Sequence, residues 1–189
     1  MNIVINPGNI LLHLQIRQIR REDLAALEWG GEFSHFRNLH QDAFRSSQRG
    51  EAVLWAAELP VAGIVGQLFV QMNSPRPELA DGKLQAYIYA FRVRSAYRGL
   101  GIGRRLLCIA EADLIRRGFR RVVLNVSREN NAARQLYERS GYRIASVDPG
   151  RWSYIDQHGR RQTVNEPAWR MEKDLGPPGQ VNDLLDWPG

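Results

Sequence analysis

Three glycines stand at alternate positions where a strand-like segment gives way to a helical pattern. They are Gly99, Gly101 and Gly103, with Arg98 just before them and Arg104 just after. Free backbone amides at a helix start and the helix dipole attract anions, and glycines let a phosphate approach the backbone closely. The two arginines add positive charge beside that turn. The segment therefore predicts a phosphate-binding turn.

Two common phosphate-binding motifs do not fit this turn. A dinucleotide-binding fingerprint needs Gly-x-Gly-x-x-Gly, but the sixth position counted from Gly99 is Arg104. A P-loop needs Gly-x-x-x-x-Gly-Lys followed by Ser or Thr, and the chain has no such run. The segment does fit Gln/Arg-x-x-Gly-x-Gly/Ala, with Arg98, Gly101 and Gly103 at the fixed positions.

A second segment, residues 130–142, lies one predicted helix and one predicted strand further along. It reads Asn-x-x-Ala-x-x-Leu-Tyr-Glu-x-x-Gly-Tyr, with Asn130 first and Tyr137 at the tyrosine position. Together the two segments resemble the GNAT superfamily of acetyl-CoA-dependent N-acetyltransferases. The resemblance is firm over residues 84–142, whereas the N-terminal half matches only in the order of its elements.

The resemblance implies an α/β fold in which a mixed central sheet is flanked by helices. Two splayed parallel strands, 84–93 and 121–126, would hold acetyl-CoA between them. We expect residues 1–175 to form a single acetyltransferase domain. The prolines and glycines beyond Gly176 indicate a loose tail over residues 176–189.

The resemblance also implies roles for individual residues. The backbone of Phe91, Arg92 and Val93 would bind the pantetheine arm and polarise the thioester carbonyl, Asn130 would contact that arm, and Tyr137 would protonate the leaving thiolate. The pyrophosphate would bind to the glycine turn, made of Arg98, Gly99, Leu100, Gly101, Ile102, Gly103 and Arg104.

The general base is not assigned by the resemblance. Some relatives place a glutamate on the strand before the second segment, where this chain has Asn125, which cannot accept a proton. Deprotonation would then go through water or through Glu28, Glu32 or Glu166, which belong to segments expected to border the acceptor. The same segments are rich in aromatic residues that could surround an amine: Trp29, Phe33, Phe36, Tyr87, Tyr89, Trp152, Tyr154 and Trp169.

Hydrophobic periodicity and turn residues predict the element order β-α-α-β-β-β-α-β-α-β-β. The predicted strands cover residues 12–19, 52–58, 61–71, 84–93, 121–126 and 142–147, and the last extended pieces cover residues 151–155 and 168–173. The predicted helices cover residues 22–29, 33–49, 101–117 and 130–139.

Composition limits the function classes. The 189 residues include one cysteine, Cys108, which excludes a disulfide framework within the chain and favours a reducing cytoplasm. We find no signal peptide and no apolar run long enough to span a membrane. The four histidines lack metal-ligand spacing, so we expect no metal. A net charge of +6 alone does not indicate a nucleic-acid-binding protein.

The sequence therefore predicts transfer of an acetyl group from acetyl-CoA to a primary amine, by direct attack in a ternary complex. A protein N-terminus, a lysine side chain, a polyamine and an aminoglycoside all stay open as acceptors. Since Asn125 replaces a glutamate, a non-catalytic acetyl-CoA-binding regulatory module is the alternative. Nucleic-acid binding is a third and weaker hypothesis. Many relatives dimerise, which leaves a homodimer open.

Overall fold

The computed structural model describes residues 9–176. Its centre is a seven-stranded sheet with the order β1-β2-β3-β4-β5-β9-β6, and β7 and β8 form a separate hairpin. The strands are β1 Gln15–Gln18, β2 Ala52–Leu59, β3 Gly63–Gln71, β4 Gln85–Val93, β5 Arg121–Ser127, β6 Arg143–Asp148, β7 Arg151–Ile155, β8 Arg161–Asn165 and β9 Ala168–Asp174. The α-helices are α1 Ile10–His13, α2 Arg37–Gln48, α3 Ile102–Arg116 and α4 Asn131–Arg139.

Helices cover both faces of the sheet, as the α/β prediction requires. The larger core lies beneath α3, whose Ile102, Leu106, Ala110 and Leu114 are at most 1% exposed. These positions lie four residues apart and form one apolar stripe, as the sequence predicted. The smaller core lies on the other face, where α2 contributes Ala43. Burial of both faces explains why β2 and β3 are almost continuously apolar.

Strands β4 and β5 are parallel, and they separate half-way along their length. They pair from Gln85 with Arg121 to Ile88 with Leu124, and within the described residues no pair follows. On its other side, β4 stays paired with β3 through a register shift opposite Gln67 and Phe69. The predicted splay of these two strands is therefore present.

A bulge in β4 accompanies the separation. Ala90 has φ +47°, a left-handed conformation that non-glycine residues rarely adopt, and its carbonyl accepts a hydrogen bond from Gln67 Nε2 at 3.2 Å. Gln67 is fully buried. The inserted residue shifts the alternation of side chains by one position. Ile88 packs in the core beneath α3, and after the bulge the odd-numbered Phe91 and Val93 pack there as well.

Several predicted boundaries were wrong. Residues 10–13 form a short helix before a strand of four residues, so the predicted strand 12–19 starts too early. In place of the predicted helix 22–29 there are two 3-10 segments, Arg21–Asp23 and Ala26–Gly31, and positive φ at Trp29 and Gly30 interrupts the second. Strand β8 was missed, since its polar sequence carries no core-facing pattern.

In the chain, the hairpin of β7 and β8 comes after β6 and before β9. It packs against α2. Asn38 Nδ2 donates to the Asp156 carbonyl at 2.6 Å, and the Asp156 carboxylate accepts from the amides of His158 and Arg160 in the turn. At the base of the hairpin, the Glu166 amide donates to the Gly150 carbonyl at 3.0 Å. The Asn38 bond holds the hairpin against α2, and the other bonds stabilise its turn and its base.

The single-domain boundary at residue 175 stays a prediction. Apart from Gly176, the tail predicted over residues 176–189 lies outside the described residues.

The base of the hairpin depends on the absence of a side chain at Gly150. A Cβ there would lie 1.7 Å from the Glu166 carbonyl oxygen, and Gly150 has φ +69°. We therefore expect Gly150→Ala to lower the free energy of unfolding by roughly 3 kcal/mol. The matched control is Gly159→Ala, with φ +76° and open space around its Cβ, which should cost only about 1 kcal/mol. Urea denaturation measures both, and equal losses would contradict the steric explanation.

Candidate active site

The glycine turn connects β4 to α3 and has the geometry of an anion site. Gly99 has φ +76° with open space around it, and Gly101 has φ +81° and caps α3 without a side-chain hydrogen bond. Arg98 Nε donates to the Val93 carbonyl at 2.9 Å, which ties the turn to the end of β4. The start of α3 therefore presents its amides beside the open edge of β4.

The other turn residues divide between packing and exposure. Ile102 is buried in the core and Leu100 packs against it, so their side chains anchor the turn. Arg104 is exposed in the first turn of α3. Gly103 is a close-approach position, because a Cβ there would lie 3.4 Å from Leu136 and 3.5 Å from the Phe91 ring. This approach brings α3, α4 and β4 together.

Tyr137 lies where these three elements meet. Its ring centroid is 6.1 Å from that of Phe91 and 5.8 Å from that of Tyr142, and the residue is 7% exposed. Within residues 9–176, its hydroxyl has no hydrogen-bond partner. Burial and then the nearby Tyr87 raise the pKa of Tyr137 well above 10, so the phenol stays protonated at physiological pH. The tyrosine can donate a proton but does not accept one.

The side chain of Asn130 caps the N-terminus of α4. Its Oδ1 accepts from the Ala133 amide at 3.1 Å, a conventional N-cap interaction. The Asn130 amide nitrogen remains available as a donor, so the cap and the predicted cofactor contact are compatible.

A buried polar network joins β5, β6 and β9 beside the gap where β4 and β5 separate. Asp148 accepts from Asn125 Nδ2 at 3.1 Å, from the Gly150 amide at 2.8 Å and from Arg170. Burial of Asp148 opposes ionisation, but the Gly150 amide, Arg170 and Asn125 outweigh it and hold the pKa below its ordinary value. Burial and then Asp148 raise the pKa of Tyr87. Asn125 thus acts as a structural partner of a carboxylate.

Sequence reasoning missed Asp148. The run Asp148-Pro149-Gly150 signals only a turn, and nothing local indicates that Arg170 pairs with it from a neighbouring strand.

The three glutamates weighed as general bases do not converge on Tyr137. Glu28 forms a two-pronged ion pair with Arg37, which lowers its pKa and makes it a poor proton acceptor. Glu32 and Glu166 are exposed, the latter at the base of the hairpin.

The predicted aromatic set divides into three places. Tyr87 and Tyr89 stack at 5.9 Å on β4, and Trp169 packs separately under Arg128. The largest group joins the segment before α2 to the hairpin; Phe36 lies 4.8 Å from Tyr154 and 6.2 Å from Trp152, and Trp29 and Phe33 extend it. This group lies on the α2 face of the sheet, opposite the glycine turn.

The described residues limit two other classes of site. Across residues 9–176, no helix is both long and apolar enough to cross a bilayer. In the same range, His, Cys, Asp and Glu side chains form no group of three or more suited to a metal ion.

Splayed parallel strands, a glycine turn at a helix start and a buried tyrosine between them define the class of acetyltransferase-like α/β folds. The sequence model of the acetyltransferase (GNAT) family matches residues 16–142. The chain therefore belongs to the GNAT family.

Individual relatives agree with this assignment. The chain is 31% identical over 94 residues to an uncharacterized N-acetyltransferase of Bacillus subtilis (strain 168), covering 50% of this chain and 57% of that one. It is 43% identical over 85 residues to a mycothiol acetyltransferase of Geodermatophilus obscurus, covering 45% and 27%. The match thus spans about half of the first relative and about a quarter of the second.

Solved structures show the same fold. Arabidopsis thaliana NAA60, solved in complex with acetyl-CoA, superposes with a TM-score of 0.63 at 22% identity. The superposition covers 86% of this chain and 98% of that one.

Asp148 should contribute to stability in a pH-dependent way. Its folded pKa lies below the ordinary 3.8, so its contribution is present above about pH 4 and is lost as the pH falls through the folded pKa. We expect Asp148→Asn to cost about 3 kcal/mol at pH 7, because Arg170 loses its buried partner, and much less near pH 2.

Denaturant unfolding at both pH values measures this difference. The control is Asp42→Asn, which removes an exposed ion pair with Arg45 and should change stability by less than about 0.5 kcal/mol. A cost for Asp148→Asn that does not vary with pH would argue against an ionised, paired Asp148.

Proposed function

We propose that the chain transfers an acetyl group from acetyl-CoA to a primary amine. The observation that carries the proposal is the open edge of β4 beyond Ile88, which meets the glycine turn at one end and Tyr137 along its side. Membership of the GNAT family and the acetyl-CoA complex of NAA60 support this choice of co-substrate.

The backbone of the chain fits an extended ligand in the cleft. Beyond Ile88, β4 has no strand partner on the β5 side within the described residues, so its peptide groups can pair with the pantetheine arm. Phe91, Arg92 and Val93 supply those groups in the proposal. The turn from Arg98 to Arg104 would hold the pyrophosphate, because Gly99 has open space around it.

The chemistry needs an activated acyl group, a deprotonated amine and a proton for the leaving sulfur. Acetyl-CoA supplies the acyl group: a carbon–nitrogen bond forms and the carbon–sulfur bond breaks. Tyr137 donates its phenolic proton to the thiolate and is later reprotonated from solvent. A β4 amide aimed at the carbonyl oxygen would stabilise the developing negative charge.

The amine proton goes to water in this proposal. The ionised Glu28 is paired with Arg37, and the ionised Asp148 is paired with Arg170 and accepts from the Gly150 amide. Neither carboxylate is therefore a good proton acceptor. Asn125 participates through its hydrogen bond to Asp148 and not as a base. The cytoplasmic location stays a prediction, and a homodimer stays open.

Acetyl-CoA should raise the melting temperature, and NAD, as a control dinucleotide, should not. At about 100 times the dissociation constant, binding adds roughly 2.7 kcal/mol of stability, and each kcal/mol moves the midpoint by about 2–4 °C in a chain of this size. Differential scanning fluorimetry measures the shift. No shift with acetyl-CoA would remove the co-substrate from the proposal, and equal shifts with both would remove its specificity.

Tyr137→Phe tests catalysis separately from binding. We expect kcat for acetylation to fall about 100-fold, while the acetyl-CoA melting shift is kept. Because the phenol stays protonated well above pH 10, the loss should be the same at pH 7 and pH 9. Release of the CoA thiol measures the rate.

The control is Tyr142→Phe, which removes a buried hydrogen bond to Glu111 and should affect stability more than kcat. A wild-type rate in Tyr137→Phe would disprove the acid role. A melting shift with no acetylation of any amine would favour the regulatory module.

A further inference from the structure

Two arginines that follow the bulge in β4 face away from the glycine turn. Phe91 and Val93 pack into the core beneath α3. Arg92 and Arg94 alternate with them and extend over the other face, where the Arg92 guanidinium lies 4.5 Å from the Phe33 ring centroid. They therefore line the side of β4 opposite to the one on which the glycine turn packs.

Neither arginine has a carboxylate partner. Within residues 9–176, no carboxylate oxygen lies within 4.0 Å of either guanidinium, whereas Arg17, which is also partly buried, pairs with Asp23 and Glu58. Arg92 Nη1 and Arg94 Nε are both buried and have no hydrogen-bond partner. Buried donors without partners are costly and therefore rare in proteins.

Rings hold both guanidinium groups in place. Arg92 lies 4.5 Å from the Phe33 ring centroid and 4.7 Å from that of Phe36, and Arg94 lies 5.5 Å from that of Trp29. Such cation–π contacts fix the planes of the guanidinium groups and leave their N–H donors to bind something else. A ligand that meets donors already held in position loses less conformational entropy on binding.

No carboxylate among residues 9–176 pairs directly with either arginine. His40 is 1% exposed with both ring nitrogens unpaired, and burial and then Arg92 lower its pKa to about 4, so it is neutral. Glu28 is paired with Arg37. Glu32 is exposed and more than 4.0 Å from Arg92, so it acts on Arg92 as a more distant charge and not as an ion-pair partner. Burial lowers the pKa of Arg92 to about 10, so the guanidinium stays charged at neutral pH.

The guanidinium groups of Arg92 and Arg94 lie beside the proposed position of the acyl group. The backbone of Phe91, Arg92 and Val93 is the part of β4 proposed to hold the acyl arm, so an acceptor on the α2 face would lie against the Arg92 side chain. The hairpin covers part of the α2 face, because Trp152 and Tyr154 both pack on Phe36. An anionic group on the acceptor would meet two cations, neither of which is paired directly with a carboxylate of residues 9–176.

We propose that the acceptor is an amine that also carries a carboxylate, which Arg92 and Arg94 bind next to the acyl group. This inference rests on the proposed acetyl transfer and narrows its substrate class to amino acids or acidic peptides. It disfavours polyamines and aminoglycosides, since the arginines already cover the Phe33, Phe36 and Trp29 rings and would repel a polycation.

The test compares matched amines with and without a carboxylate, together with a polycation. The probes are leucine against leucinamide, alanyl-glutamate amide against alanyl-glutamine amide, and spermidine as a polycation. With acetyl-CoA present, we expect the carboxylate member of at least one pair to have kcat/KM about 10- to 100-fold above its neutral partner, with spermidine lowest. Neutral partners as good as the anionic ones, or spermidine as the best acceptor, would overturn the inference.

Variants of Arg92 connect the preference to the site. Arg92→Gln should reduce the preference to about twofold or less, and Arg92→Lys should restore part of it. The control is Arg45→Gln, which removes an exposed arginine of α2 and should keep the full preference. A retained acetyl-CoA melting shift shows that each variant is folded. An undiminished preference in Arg92→Gln would contradict the proposal.

Calorimetry separates this inference from the proposed function. The same probes are titrated into the protein saturated with CoA, so that no turnover is needed. Carboxylate binding that is lost in Arg92→Gln supports the anion site even if no amine is acetylated, in which case the acetyl-transfer proposal fails alone. If acetylation proceeds but neither rate nor binding depends on the carboxylate, the anion site fails alone. If no carboxylate probe binds or reacts, the anion site is also rejected.

Discussion

The separation of β4 from β5 is the constraint on which the candidate site depends. Parallel strands normally satisfy each other's peptide groups along their full length, but this pair stops at Ile88 and Leu124. The left-handed conformation of Ala90 accompanies the change of direction, at a cost of about 1–3 kcal/mol, and the buried Gln67 holds the Ala90 carbonyl. One short bulge thus leaves the backbone edge of β4 open for a ligand.

The same bulge distributes side chains between the two halves of the site. Before it, Ile88 packs beneath α3 and Tyr89 packs on the α2 side; after it, Phe91 packs beneath α3 and Arg92 lies on the α2 side. Without the inserted residue, uniform alternation would place Arg92 beneath α3. Co-substrate binding and acceptor recognition in our proposals therefore depend on one backbone irregularity.

Residues close together in the sequence were predicted well. The glycine turn and the start of α3 are local features, because each depends on residues within one or two turns of each other. The central helices and strands followed from long periodic patterns. The predicted helix 22–29 was wrong, and the predicted helix 33–49 starts too early, because residues 34–36 form a 3-10 turn. The positive φ at Trp29 is a tertiary choice that no propensity indicates.

The sequence by itself determined the family, the glycine turn and the position of Tyr137, since motif spacing within a strand, turn and helix fixes their relative placement. Only the tertiary structure decided that Asp148 and Arg170 pair beside Asn125, that Glu28 is neutralised by Arg37, and that Arg92 lacks a carboxylate. These are matters of charge pairing between distant segments. They depend on strand register and on which face of the sheet each side chain occupies, and the bulge at Ala90 sets that face for Arg92 in a way that alternation alone cannot reveal.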